Sequence, residues 1–242
     1  MPREALTELA PTGVLRAAIN MGNALLVTGR TASGDPEGVA PDMAREIASR
    51  LGVPVAYVPY ARPGELADAA GSGVWDIGLI GAEPQRAEKI SFTPAYVEIE
   101  ATYLVPAGSP LKTVAEVDRA GVRIAVTARS AYDLWLERNI KHAQLVRSEG
   151  GDATFKQFVD EKIEAMAGLR PRLLEDVQKL LGARILDGQF TAVQQAVGTA
   201  RLNTAGAAFL REFVEEAKAS GLVARLIERH KVVGRLSVAP RA

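Results

Sequence analysis

The stretch PDMAREIASRLGVPVAYVPY, residues 41–60, changes its period halfway along. Met43, Ile47 and Leu51 recur four apart and share one face of a helix; Pro41 and Asp42 open it and Gly52 closes it. From Val53 to Tyr60 the residues turn aliphatic and aromatic, which predicts a strand. The same alternation continues outward. Upstream, VLRAAIN (14–20) reads as a strand whose loop begins at Asn20, and TGRTASGDPEG (28–38) as an exposed hairpin or turn. Downstream, ELADAAGSG (65–73) reads as a short helix closed by glycines. WDIGLIG (75–81) follows as a nearly continuous apolar strand of the kind buried on both faces of a parallel sheet. Strand and helix in alternation predict an α/β fold with ligands gathered at the carboxyl ends of the strands.

Beyond residue 100 the pattern starts again. ATYLV (101–105) is a strand running into a Pro/Gly/Ser turn, with a short helix expected from Thr113. GVRIAVTARSAYDLWLER (121–138) gives a strand, a polar loop from Thr127 to Ser130, and a helix bearing Leu134 and Leu136; a second sheet starts here. IEAMAG (163–168) is a short apolar run, after which Leu173, Leu174, Val177 and Leu181 predict a helix. Residues 204–230 read as two helices parted by Gly221, the first with Phe209, Phe213 and Ala217 four apart.

Composition removes several function classes. The 29 basic and 29 acidic side chains cancel, so no charge excess draws the chain to nucleic acid or anionic lipid. Cysteine is absent, which excludes disulfides and thiolate chemistry, and only His142 and His230 could offer imidazole to a metal. No metal or other cofactor is expected. No nucleophile with its base and no glycine-rich phosphate loop is present. The opening residues carry acids and prolines where a secretory leader would be basic and apolar, which implies either a mature form or a cytoplasmic protein.

The order of pieces resembles the type 3 extracellular solute-binding proteins of amino-acid ABC transporters. GVLRAAIN looks like that family's first strand, and EGVAPDMAREIASRLGVPVAYVP like its G-x-x-x-D helix leading to the second. WDIGLIGAEPQRAEKISFTPAY is similar to its signature of strand, loop, arginine and Phe-Thr-x-x-Tyr. GVRIAVTARSAYD matches the opening of its second lobe, and AFLREFVEEAKASGLVARLIERH its closing helices. The resemblance implies a two-lobed periplasmic-binding-protein type II fold, each lobe a mixed, mostly parallel sheet flanked by helices, joined by two hinge strands. Residues 1–104 and 196–242 would form lobe 1, and 105–195 lobe 2. It further implies a monomer in the periplasm that closes on a small anionic or zwitterionic ligand and delivers it to a membrane permease.

By the same resemblance, Arg86 grips a ligand carboxylate, for which a guanidinium's two parallel donors are suited. A surface arginine paired with Glu83 or Glu88 is the alternative. Gly81, Ala82 and Glu83 stand where relatives place hydroxyls, in a loop two residues shorter than usual. Glu83 can receive a ligand amine or simply hold Arg86. Asn20 and Asn23 fall at a ligand-contacting loop, although asparagine also caps turns locally. In lobe 2, Thr127, Arg129, Ser130 and Tyr132 belong to the second binding loop, with Arg129 where the family has glycine; Trp135 reads as core. The family's ammonium-binding aspartate falls on Leu169, followed by Arg170. A leucine cannot pair an ammonium, so an ordinary α-amino acid would leave a buried charge unmatched. If Arg86, Arg129 and Arg170 converge, the site is cationic and favours a carboxylate-bearing or otherwise anionic solute; solvent exposure is the alternative for Arg129 and Arg170. A dehydratase on the same scaffold, with Glu83 as general acid, is the competing reading, and a ligand sensor acting through a partner is a third.

Overall fold

A computed structural model describes residues 3–242. The chain divides into two compact units, one formed by residues up to Glu98 together with Gln194–Ala242, the other by Ile99–Val193.

The first unit opens with helix α1 (Arg3–Leu9) and strand β1 (Leu15–Asn20), then a hairpin of β2 (Gly29–Arg30) and β3 (Pro36–Glu37). Helix α2 (Val39–Leu51), strand β4 (Val55–Tyr60), helix α3 (Pro63–Asp68) and strand β5 (Ile77–Gly81) follow, then the one-turn helix α4 (Pro84–Ala87), strand β6 (Ile90–Phe92) and the start of strand β7 (Val97–Val105). Met43, Ile47 and Leu51 are all buried, as their spacing predicts, and Gly52 closes α2 in the left-handed region with φ 71°. β1 lies between β4 and β5, parallel to both, and every residue of β5 is buried.

The second unit contains the rest of β7, a 3₁₀ turn (Val114–Val117), strand β8 (Arg123–Thr127), helix α5 (Ala131–Asn139), strand β9 (Gln144–Ser148), helix α6 (Gly151–Asp160) and strand β10 (Ala165–Leu169). Helix α7 (Arg170–Asp176), strand β11 (Arg184–Ile185) and the first residues of strand β12 (Thr191–Ala200) complete it. β8 lies between β9 and β10, parallel to both, and β10 runs antiparallel to β7. Its core is built from Tyr103, Val105, Ile124, Val126, Leu136 and Ala167 on one side and Leu104, Ala125, Phe158 and Met166 on the other.

The remainder of β12 returns to the first unit antiparallel to β5, followed by α8 (Thr204–Ala219), α9 (Leu222–Arg229) and β13 (Ser237–Val238), which pairs with the start of β7. Each unit is thus a mixed sheet with a parallel centre, flanked by helices, as the fold class expected.

Three local features differ from the sequence reading. α1 is a helix that packs on α8, with Ala5 and Leu9 buried and the Glu8 carboxylate accepting the Gly206 N–H at 2.7 Å. The helix expected to run through Leu181 stops at Asp176, gives way to a 3₁₀ turn (Val177–Lys179), and leaves Leu181 fully exposed. Gly182, with φ 76°, turns the chain away there. β9 and α6 had no clear signal: β9 is an edge strand without a fully buried residue, and the N-cap of α6 is Gly150, which has no side chain to cap it.

Candidate functional site

Both candidate loops sit at carboxyl ends of central parallel strands, where α/β sheets place ligands. In the first unit β5 ends at Gly81. The Ala82 N–H donates to the Gln194 carbonyl at 2.7 Å, which carries the strand's hydrogen bonding one residue into the loop. Glu83 is the N-cap of α4 and is buried; its main-chain carbonyl accepts the N–H groups of Arg86 and Ala87 at 2.9 and 3.0 Å. Pro84 suits the first helical position because no N–H is required of it. That single turn carries Arg86, which is 5% exposed and whose Nη1 donates to the Gly81 carbonyl at 2.7 Å. The guanidinium is thereby folded back onto the end of the preceding strand, β5.

Thr93 sets the register behind this loop. Its N–H donates to the Val197 carbonyl at 2.8 Å, and its Oγ1 accepts the Val197 N–H at 3.2 Å. Asn20 closes β1 and its Oδ1 accepts the Gly22 N–H at 3.0 Å. Asn23 is buried; its Oδ1 accepts the Leu25 N–H at 3.1 Å, the local turn-capping arrangement.

In the second unit β8 ends at Thr127, whose hydroxyl lies 3.0 Å from the Thr154 hydroxyl. Ala128 donates to the Ser148 carbonyl at 2.9 Å and so continues the β8–β9 ladder. Arg129 is exposed and takes φ 58°, a left-handed conformation that costs a non-glycine residue roughly 1–2 kcal/mol. Ser130 caps α5, its Oγ accepting the Asp133 N–H at 3.1 Å. Tyr132 is half-buried against Ala101, Ala131 and Val193; burial raises its phenol pKa, and hydrogen bonding with Thr127 and Ser130 works against that rise. Trp135 packs on Phe190 with ring centroids 5.4 Å apart, in the core as expected.

Leu169 ends β10 beside Ala101 of β7 and packs into the same apolar cluster. Arg170 opens α7, but its guanidinium is engaged: Nε donates to the Glu100 carboxylate at 2.6 Å and Nη2 to the Gly188 carbonyl. The structure therefore matches Arg170 with a charge of opposite sign. Thr127, Arg129 and Ser130 lie at the end of β8 and Tyr132 in the first turn of α5, while Leu169 ends the neighbouring parallel strand and Arg170 follows it.

Several participants escaped the sequence reading. Glu100 has no local signal, because its partner is 70 residues away. Asp133 had one: Ser130 followed three residues later by an acid has the spacing of a helix-capping box. Asp133 is 2% exposed, and burial raises its carboxyl pKa in spite of the Arg129 N–H and Arg147. Among the described residues no group of three or more histidine and carboxylate side chains could hold a metal, and no helix is long and apolar enough to cross a membrane.

Comparison with known proteins agrees with this architecture. A family model described as bacterial extracellular solute-binding proteins, family 3, matches residues 26–232. The cyclohexadienyl dehydratase of Pseudomonas aeruginosa is 27% identical over 165 residues, 66% of this chain and 61% of that enzyme, so the match spans only about three fifths of the relative's length. Among solved structures, an ancestral amino acid-binding protein described as a precursor of cyclohexadienyl dehydratase superposes with a TM-score of 0.75 at 19% identity, covering 93% of this chain and 97% of that one. An amino acid ABC transporter substrate-binding protein from Streptococcus pneumoniae, bound to L-arginine, gives a TM-score of 0.74 at 17% identity over 92% and 96% of the two chains. These likenesses place the chain in the two-lobed α/β fold.

Proposed function

The chain belongs to the bacterial extracellular solute-binding proteins, family 3, and from that premise we propose that it captures a small carboxylate-bearing solute, other than a standard α-amino acid, and does no chemistry on it. Leu169 carries the reading. By the family resemblance it stands where a carboxylate would receive the α-ammonium group, and it packs among Ala101, Ala131 and Val193. An ammonium group set against that surface would be desolvated without a partner. Arg86 is the carboxylate anchor: its hydrogen bond to the Gly81 carbonyl holds the guanidinium plane, and a planar fork held in advance loses little entropy on binding. The Thr127 and Ser130 hydroxyls and Arg129 supply the polar contacts of the second loop. The protein would work outside the cytoplasm and hand its solute to an ABC-type permease.

Thermal unfolding in the presence of α-amino acids, dicarboxylates, aromatic acids and polyamines tests this reading. A solute at 100 times its Kd stabilises the native state by about 2.7 kcal/mol, so a cognate acid should raise the melting temperature clearly while α-amino acids and polyamines leave it unmoved. Strong stabilisation by lysine or a polyamine, with no response to acids, overturns the proposal. Arg86→Lys keeps the charge and loses the fork; it should abolish the response. Because Arg86 is buried, this variant should also unfold somewhat earlier without solute.

The dehydratase relative supports a second reading, in which buried Glu83 protonates a leaving group in the same site. Product formation from prephenate or arogenate, lost in Glu83→Gln, would establish it in place of the first.

A further inference from the structure

Three residues other than glycine take a positive φ among the described residues: Arg129, Lys162 and Lys231. Lys162 and Lys231 follow the ends of α6 and α9. There the next residue's N–H reaches back into the helix, Ile163 to the Phe158 carbonyl at 3.1 Å and Val232 to the Ile227 carbonyl at 3.1 Å. That is the ordinary helix-ending use of the left-handed region. Arg129 follows a strand and has no such closure. Its N–H instead donates to Oδ2 of Asp133 at 2.7 Å.

Asp133 is well placed to hold a backbone. It is almost wholly buried, its own N–H is tied to Ser130 Oγ, and its carboxylate accepts from Nε of Arg147 at 2.9 and 3.1 Å. Arg147 lies on β9, opposite Val126 of β8, and its Nη2 is further braced by Glu137 at 3.1 Å. An unbroken series of side chains thus runs from the neighbouring strand, through a buried carboxylate, to the amide of the one strained residue in the loop.

We propose that Asp133, clamped by Arg147, is a positioning residue that fixes the left-handed backbone of Arg129 and thereby sets the direction in which the Arg129 side chain leaves the end of β8. The inference deepens the reading of the Thr127–Ser130 loop as solute-facing and takes its purpose from that reading. Strain at a functional loop persists only where the surroundings over-determine it. Here the over-determination comes from one carboxylate that accepts three hydrogen bonds from two donors, the Arg129 N–H and Nε of Arg147. A glycine at 129 would reach the same backbone without a brace, but it would present no cation. Helix capping alone does not account for the arrangement, because the Ser130 hydroxyl already caps α5.

The test is a mutant cycle read by backbone NMR and thermal unfolding, with no solute present. Asp133→Ala should move the Arg129 amide and Cα signals and its HN–Hα coupling, and should leave the Ala128 amide, bonded to Ser148, largely in place. Arg147→Met should shift the Arg129 signals in the same direction and less far. The fall in melting temperature caused by Asp133→Ala should shrink by at least half when Arg129→Gly is already present. Equal falls in both backgrounds, with the Arg129 coupling unchanged, would overturn the proposal. Should Asp133→Ala fail to fold, Asp133→Asn removes the charge at constant shape and is read in the same way. Failure of the solute-facing reading is separately visible: a screen in which succinate, benzoate, L-glutamate and L-arginine all leave the melting temperature unmoved removes that reading while the backbone result stands.

Discussion

The loop after β5 and the loop after β8 occupy equivalent places, each at the carboxyl end of a central parallel strand, yet they are fixed by different means. At the first loop the acceptors are main-chain carbonyls: Ala82 donates to Gln194, Arg86 and Ala87 to Glu83, Thr93 to Val197, and the Arg86 side chain to Gly81. At the second loop charged side chains are added to the main-chain bond of Ala128, with Asp133, Arg147 and Glu137 around it, and Asp152, Arg172, Asp176 and Lys179 pair at the start of α6 and along α7. The first arrangement should be sensitive to space and indifferent to acid. The second should be the reverse.

The largest effect that could break this contrast is steric. Gly198 of β12 lies between Gly78 of β5 and Phe92 of β6. A Cβ placed there would stand 2.3 Å from Ile90 Cγ2 and 3.0 Å from the Phe92 ring. Gly198→Ala should therefore cost about 3 kcal/mol and lower the melting temperature of the first unit by roughly 6–12 °C. The two tryptophans separate the units for this purpose: Trp75 reports the first and Trp135 the second, so the variant is examined in Trp135→Phe and Trp75→Phe backgrounds. A loss smaller than about 1 kcal/mol would mean that β6 yields, and that backbone closeness does not hold this unit.

The next effect is acid. Among the described residues, four carboxylates of the second unit have pKa values held below the ordinary range. Backbone N–H groups of Lys112 and Thr113 lower Glu116; Arg172 lowers Asp152; Arg123 lowers Glu164. For Asp118 desolvation opposes ionisation, but the N–H groups of Ala143, His142 and Lys141 together outweigh it. In the first unit Glu215 is lowered, chiefly by Lys218. A carboxylate whose folded pKa is depressed adds stability above its unfolded value, near 4, and that stability drains away as pH falls through the folded value. Asp133 is raised and has the opposite sign: what it contributes is present in acid and lost as pH rises through its folded value, a partial offset. The net expectation is that Trp135 fluorescence reports unfolding at a higher pH than Trp75 as the solution is acidified below pH 4. Asp118→Asn should bring the two midpoints closer. Coincident midpoints in the parent chain would erase the contrast between the units.

The same contrast explains what could be read from the sequence. Parallel strands betray themselves by continuous apolar runs and helices by a four-residue spacing, so WDIGLIG and PDMAREIASRLG placed β5 and α2 correctly. In the first loop the strand end, proline, arginine and threonine lie within residues 81–93 and could be named together, whereas Gln194 and Val197, which bond Ala82 and Thr93, left no local signal. The second loop was only half legible. Thr127, Ser130 and Tyr132 are local, but Arg147 comes from the next strand, and Glu100, which takes up the charge of Arg170, from 70 residues upstream. Side-chain pairs bridging distant strands leave no periodicity. Leu181 shows the converse error, where an apolar residue at helical spacing lay beyond the point at which the helix tightened and ended.

The smallest effect sharpens the contrast most finely. Tyr96 closes the Phe-Thr-x-x-Tyr stretch, and its backbone is held on both sides: its N–H donates to Gln195 at 2.9 Å and its carbonyl accepts from Ala239 at 3.1 Å. Its side chain is fully buried, burial pushes its phenol pKa up, and its hydroxyl has no hydrogen-bond partner among the described residues. If main-chain bonds hold this unit, the hydroxyl contributes nothing and its desolvation is a cost. Tyr96→Phe should then leave the melting temperature unchanged or raise it, by no more than about 1 kcal/mol of stability. A loss of about 2 kcal/mol or more would mean that the hydroxyl is bonded after all, through water.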